Sequence, residues 1–372
     1  MKLLYFSNIR IPTEKAHAIQ IMKMCEALSR KVSVNLIVPR RRSLEYQDVD
    51  PFLYYKVANT FKIKKLWTID PYWLMRFPQG IYIKVQIICF LARLILFLIF
   101  SKGKNNAYFY TRDEYLLPIL QWFSKKVIWE AHTLPRNKKW YTKYWNRCHA
   151  IITITEILKK ELMENGIKKE KIITAPDGVD IKSFSIPMSK NECRKKLSLP
   201  ENKKIIVYTG HLYEWKGAQT LADASQYLDD LYHIVFVGGT LNDVDKFIQV
   251  NSGKNNITIL GHVAYSEIPY YIMAADILIV PNSAKRKISV SYTSPLKFFE
   301  YLTSGKPILI SDIPSLREIG DKFEGIFHFK ADDAKNLSDS IKFLDEKKIY
   351  TRDLSGYSWD KRSENIIYFI SK

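Results

Sequence analysis

Short apolar runs alternate with amphipathic stretches along this chain, the pattern of parallel sheets built from strand-helix-strand units. In the first half the runs predict strands at 3–6, 33–38, 107–111, 127–130, 151–155 and 172–175. In the second half they predict strands at 205–209, 234–237, 257–260, 277–280, 308–310 and 326–329. Ile19, Met22, Met24, Ala27 and Leu28 recur at near-helical spacing and predict a helix over about 16–30. The turn at 175–180 and the charged stretch 190–196 place a boundary near 184–187. The last segment, 357–370, has helical spacing and no sheet left to extend. The pattern thus predicts an α/β protein of two domains, 1–184 with a C-terminal helix over 356–372 packed back on it, and 185–355.

The run VQIICFLARLILFLIF at 85–100 lies within a predicted helix over 81–100, and it is only slightly shorter than the roughly 20 residues that cross a bilayer. A span would break a strand-helix-strand unit in two, so a buried crossover helix is the expectation. Insertion of the helix into one leaflet is the alternative that keeps the sheet intact.

A length of 372 residues exceeds what one growing core supports, and 47% hydrophobic residues can fill two. Cys25, Cys89, Cys148 and Cys193 lie far apart, without zinc-like spacing, and fit free thiols in a reducing compartment. The opening MKLLYFSN reads as a first strand rather than a secretory leader, so the expected location is cytoplasmic. The net charge is +19, and its distribution is uneven. Residues 1–185 carry 32 Lys and Arg against 15 Asp and Glu, whereas residues 186–372 carry 25 against 23. The first domain is therefore expected to face something anionic, either phospholipid or nucleic acid.

Three stretches carry candidate chemistry. SPLKFFEYLTSGKPILISD, 294–312, predicts a helix that opens at Ser294 and Pro295, carries Glu300, and ends at Ser304 and Gly305 before a strand. The free amides of Leu296 and Lys297 would cradle a phosphate, and Glu300 would accept the two hydroxyls of a ribose. A capped helix with a surface glutamate has the same pattern. In TGHLYEWKG, 209–217, a strand ends at Gly210 and a loop delivers Lys216, which would neutralise a diphosphate unless it is a solvated loop lysine. In WEAHTLP, 129–135, His132 follows a strand end, where open α/β sheets bind ligands. A structural histidine satisfied by its neighbours fits that position too.

Together these stretches resemble the family 4 glycosyltransferases. The resemblance implies a GT-B fold, two Rossmann-like domains facing across a cleft. It also implies sugar transfer from a nucleotide diphosphate donor with retention of configuration and no metal cofactor. By resemblance Glu300 takes the ribose, while Tyr292 stands where the family has an earlier glutamate. His211 stands where the family has a pyrophosphate arginine, so Lys216 and helix amides would carry more of the charge. His132 would contact the donor sugar. APDGVD at 175–180 is similar to the family's Asn-Gly-Val-Asp turn, with Asp177 in place of asparagine. The loop 7–20, with Asn8, Pro12 and His17, occupies the place of an acceptor-side loop but lacks its paired glycines.

Two basic and aromatic stretches extend this reading. KIKKLWTIDPYW, with Trp67 and Trp73, and RNKKWYTKYWNR, with Lys138, Lys139, Trp140 and Trp145, suit an anionic membrane surface. A solvated basic face with ordinary core aromatics has the same composition. The expectation is a peripheral enzyme on the inner face of the plasma membrane, using a UDP- or GDP-sugar and a lipid-linked or membrane-proximal glycan acceptor. Its setting would be cell-surface polysaccharide or glycolipid biosynthesis. Asp48-Val49-Asp50 matches the metal motif of another glycosyltransferase fold, but its polar context points to chance. Phosphate-loop, dinucleotide, zinc-protease and esterase motifs are missing from the sequence. An inert nucleotide-sugar binder, a sugar-nucleotide epimerase and, more distantly, a nucleic-acid-binding protein are the rival readings.

Overall fold

Thirteen short, mostly apolar strands form two parallel sheets in the computed structural model, which describes residues 1–41, 46, 48–76, 79–101, 104, 106–344 and 347–372. The chain divides into two compact units, Met1–Pro176 with Trp359–Lys372, and Asp177–Ser358.

The first unit holds β1 (Lys2–Phe6), β2 (Ser33–Arg40), β3 (Lys62–Trp67), β4 (Ala107–Thr111), β5 (Val127–Ala131), β6 (Ala150–Thr153) and β7 (Ile172–Thr174). Their order is β3-β2-β1-β4-β5-β6-β7, so the direction of winding reverses between β1 and β4. Leu3 of β1 lies opposite Val34 and Tyr108. The C-terminal helix Trp359–Ser371 belongs to this unit, where Arg30 pairs with Asp360, Lys31 with Glu364, and Ile366 and Ile370 are buried.

The second unit holds β8 (Lys204–Thr209), β9 (Tyr232–Val237), β10 (Ile257–Ile259), β11 (Ile277–Val280), β12 (Ile308–Ser311) and β13 (Ile326–Phe329), in the order β10-β9-β8-β11-β12-β13. Alternation along each strand gives the sheet two apolar faces. Val207, Val235, Leu278 and Ile310 meet Phe298 and Leu302 on one face. Ile206, Phe236, Ile279 and Leu309 meet Leu221 and Leu337 on the other.

Four details differ from the sequence-based expectations. The unit boundary falls at 176/177 rather than 184/185, because Val179 and Phe184 are buried in the second unit's core and Val179 donates its amide to Tyr357 O at 2.9 Å. KIKKLW is a strand, β3, on the sheet edge, where exposed lysines are tolerated. The 81–100 helix spans Gln79–Phe100 and is a crossover from β3 to β4, but it is not buried. Among its described residues only Gln86, Phe90, Leu94 and Leu98 are fully buried, while Ile81, Ile88, Leu96, Ile99 and Phe100 are exposed. Although the helix is long and apolar enough to cross a membrane, β3 and β4 flank it within one sheet, so it does not span. Trp145, expected at a membrane surface, is fully buried and stacked on Trp129, with ring centroids 5.5 Å apart and planes 4° apart. On the same helix, Lys138–Arg147, Trp140 and Lys139 are exposed, and Lys138 pairs with Glu161. Trp67 and Trp73 are exposed as well.

Candidate active site

In an open parallel sheet, loops leaving adjacent strands in opposite directions open a crevice at the carboxyl ends. In the second unit this switch lies between β8 and β11. The loop after β8 carries Gly210, His211 and Lys216, and the loop after β11 carries Pro281, Asn282 and Ser283. The two loops are locked together. Ser283 N donates to Trp215 O at 3.1 Å, and a Cβ on Gly217 would lie 1.7 Å from Pro281 O. Gly217 also has φ +71°, so a side chain there meets both a backbone clash and a strained conformation.

Leu296–Leu302 is the helix predicted to open near Pro295, with Pro295 at its cap, and it is buried almost throughout. Lys297 and Glu300 therefore lie inside, and the surface glutamate considered above is not what forms. Lys297 Nζ lies 3.5 Å from the centre of the Tyr208 ring and has no hydrogen-bond partner. A Cβ placed on Gly210 would sit 3.3 Å from that nitrogen, so glycine leaves the ammonium its room. Glu300 Oε1 accepts from Tyr265 Oη at 2.8 Å. Ser294 Oγ accepts from Asp177 N at 3.0 Å, tying the 175–180 turn to this segment.

The electrostatics join these groups. Burial pushes the Lys216 ammonium down to about 8, against the pull of Asp177. Burial, then Lys216, push Lys297 well below the ordinary lysine value, with Glu300 opposing. Burial raises the Glu300 carboxyl to about 7, against the Tyr265 hydrogen bond and Lys297. Two neighbouring cations held below their usual basicity form a site that gains by receiving an anion. A bound diphosphate favours the protonated lysines, so binding a nucleoside diphosphate near pH 8 is expected to take up protons, and affinity is expected to fall as pH rises past about 8. Titration calorimetry in buffers of different ionisation enthalpy measures the uptake, and a value of zero would remove the lysines from the binding site.

The other predicted donor residues are placed less directly. His211 stacks on Tyr213 with centroids 4.9 Å apart, and its carbonyl accepts from Tyr208 Oη at 2.5 Å. Tyr292 is buried, with Lys287 Nζ 5.2 Å from its ring centre. Tyr265 and Asn282 were not singled out from sequence. Asn282 is fully buried beside Gly217, and neither end of its amide is hydrogen-bonded. A strand-end loop was the only signal pointing to it, and nothing local pointed to Tyr265.

In the first unit the switch lies between β1 and β4. Asp113, after β4, accepts from Asn8 N at 2.7 Å and Ser7 Oγ at 3.1 Å, while Asn8 Oδ1 accepts from Arg41. Pro12 is buried in its own loop, and His17 is exposed at the start of the Ala16–Ser29 helix. His132 follows β5 and shares the buried Glu130 with Gln20, Arg362 and Tyr110. The Glu130 carboxyl, which burial alone would raise, is held well below the usual carboxylate range by Arg362, His132 and Tyr110. Burial and Arg112 push His132 down to about 4. Neutral His132 donates from Nε2 to Glu130 Oε1 at 2.9 Å, which leaves Nδ1 as an acceptor. Among the described residues no group of three or more His, Cys, Asp or Glu could hold a metal ion, and Asp50 of the Asp-Val-Asp triplet caps the short helix Pro51–Tyr54.

Residues 189–358 match the family model described as glycosyl transferases group 1. The Escherichia coli UDP-Gal:alpha-D-GlcNAc-diphosphoundecaprenol alpha-1,3-galactosyltransferase is 28% identical over 167 residues, 42% of this chain and 40% of that protein. The alpha-monoglucosyldiacylglycerol synthase of Streptococcus pneumoniae is 28% identical over 189 residues, 48% of this chain and 41% of that protein. The chain thus spans about half the length of the curated relatives it matches, or less. Among solved structures, Anabaena HepE in complex with UDP and glucose matches with a TM-score of 0.75 at 14% identity, covering 100% of both chains. The chain accordingly has the GT-B fold, and most of its second unit, 189–358, is similar to the glycosyl transferases group 1 family.

Proposed function

We propose that the chain is a retaining, metal-independent glycosyltransferase that moves a sugar from a nucleotide diphosphate to a lipid-linked or membrane-proximal acceptor in cell-surface polysaccharide or glycolipid biosynthesis. The observation that carries this reading is the cluster of Lys216, Lys297 and Glu300 at the switch point of a group 1 domain. As the bond from the anomeric carbon to the diphosphate breaks, its electron pair goes to the phosphate oxygen. Two lysines already fixed beside that charge would stabilise it without solvent reorganisation, and no divalent cation is needed for the purpose. Ionised Glu300 accepts hydrogen bonds from the ribose, and the Leu296 and Lys297 amides add to phosphate binding. In the first unit neutral His132 offers Nδ1 to a sugar hydroxyl, and the loop of Asn8 and His17 serves the acceptor.

UDP as the donor nucleotide is supported by HepE, whose structure holds UDP and glucose. A lipid-linked acceptor is supported by the diphosphoundecaprenol and diacylglycerol in the names of the two relatives. The basic first half supports a peripheral position on the cytoplasmic face of the plasma membrane.

The test supplies UDP- and GDP-sugars with undecaprenyl diphosphate-linked sugar or diacylglycerol and follows nucleoside diphosphate release. Release is expected only with acceptor, unaffected by EDTA, with the donor's anomeric configuration kept in the product. An isomerised donor sugar in the absence of acceptor would identify an epimerase. Binding without release under every condition would make the chain an inert binder.

A further inference from the structure

The face of the first sheet beneath the Gln79–Phe100 helix carries charge where parallel sheets ordinarily carry apolar cover. Alternation puts Lys2 and Leu4, Asn35 and Ile37, and Lys62 and Lys64 on that face, along three adjacent strands. They wall a cavity of about 640 Å³ under the C-terminal end of the helix, which adds Arg93 and Phe97, with Lys104 just beyond. Among the described residues five cations line this space and no carboxylate does. Lys104 donates to the helix carbonyls of Leu98 and Ile99, and Lys64 Nζ lies 4.8 Å from the centre of the Phe97 ring. Among the described residues Lys2, Lys62 and Arg93 form no ion pair. The cavity lies where β1 and β3 begin, at the opposite end of the parallel strands from His132, which follows the end of β5.

The outer side of the same helix is apolar and uncovered. At 100° per residue Ile81, Ile88, Ala92 and Ile99 fall in one line with Leu96 beside them, opposite the buried Phe90 and Leu94, and Lys84 and Arg93 flank the line. Phe100 at the cavity end is 79% exposed, and Trp122 on the neighbouring Leu117–Phe123 helix is 82% exposed. An apolar stripe flanked by cations and ending at a cationic cavity has the layout of a surface lying in the boundary between headgroups and acyl chains.

We infer that this face is a membrane-docking surface in which the cavity takes the phosphate of an anionic phospholipid and the helix lies along its acyl chains. The continuity of cavity and stripe selects a lipid over free phosphate, which would use the cations and leave the stripe bare. The inference deepens the membrane part of the proposed function. It concerns a face of the first sheet that carries none of the proposed site residues, so vesicle binding is read without donor or acceptor, and sugar transfer can fail while docking stands.

The experiment is sedimentation of the full chain with vesicles of phosphatidylcholine alone or mixed with phosphatidylglycerol. The wild-type protein should prefer the anionic vesicles, and Lys62→Ala/Lys64→Ala/Arg93→Ala should lower its binding to them roughly 100-fold, since each cation near such a surface contributes about fivefold. Ile88→Gln/Leu96→Gln/Ile99→Gln should lower binding to both vesicles, most clearly at high salt, where screening leaves the apolar part. Circular dichroism and the shift in melting temperature on adding UDP confirm that both variants are folded. Equal partitioning of the wild-type chain, wild-type binding by either folded variant, or displacement by inorganic phosphate alone would overturn the proposal.

Discussion

Lys216→Ala is expected to lower kcat/KM for sugar transfer about 10²- to 10³-fold, the loss typical when one fixed group facing a developing oxyanion is removed. The reason lies in the placement of the side chain. Lys216 sits at the end of a loop whose next residue, Gly217, is wedged against Pro281, and its Nζ lies 4.0 Å from the centre of the Trp215 ring. Lys216 is half-buried, and desolvation depresses its basicity. The same substitution leaves Lys297 in place, and its basicity should rise toward the ordinary value once its cationic neighbour is gone. Loss of Lys216 is therefore partly compensated, and the double variant with Lys297→Ala should fall by more than the product of the two single effects, because the lysines share one ligand and the second substitution removes the compensation. The split between parameters is diagnostic. A group that acts on the leaving charge lowers kcat, whereas Glu300→Gln, which weakens ribose binding, should act chiefly through KM. Wild-type turnover by Lys216→Ala with unchanged nucleotide affinity would remove the lysine from the mechanism.

How much of this could be read from the chain alone depends on where the information sits. Strands such as IIVYT and ILIV are buried on both faces, so their apolar runs are local and legible. KIKKLW escaped because an edge strand needs an apolar residue only where it meets the sheet, and its lysines pointed toward a membrane reading instead. The Gln79–Phe100 helix shows the converse. It is apolar all round, which implies burial, yet one stripe alone is covered, because what covers a helix is a property of the rest of the fold. Trp140 and Trp145 look alike in sequence, and only the stack on Trp129 separates them. In the donor site, Lys216, Lys297 and Glu300 were legible because each lies in a segment whose strand-loop-helix grammar is local. Tyr265 was not, since its hydroxyl reaches Glu300 from a segment distant in sequence. The Lys297 ammonium was also unforeseen; the residue was counted for its amide, and burial against Tyr208 is a tertiary fact.

Arg362→Ala should destabilise the first unit by about 3–5 kcal/mol, the cost of stranding a buried charge. Arg362 comes from the C-terminal helix and reaches Glu130 Oε1 at 2.9 Å, Pro176 O at 2.8 Å and Ala175 O at 3.1 Å, with both charged side chains almost wholly enclosed. Without the guanidinium, Glu130 keeps Gln20, Tyr110 and His132 as donors but loses the one full positive charge beside it. The pH dependence separates this account from simple loss of packing. In the wild-type protein the Glu130 carboxyl is depressed, so its contribution is present above the unfolded value of about 4.3 and is lost as pH falls through the lower folded value. In the variant burial dominates and raises the carboxyl, so the deficit should shrink as pH is lowered from 7 toward 5, where the stranded group can take up a proton. Adding Glu130→Gln to Arg362→Ala should recover part of the loss at pH 7, because no charge is then left buried. Urea unfolding followed by tryptophan fluorescence, which reports on the Trp129 and Trp145 pair in this unit, measures all three effects. A deficit that does not change with pH and is not relieved by Glu130→Gln would mean that Arg362 acts through its packing and that Glu130 does not depend on it.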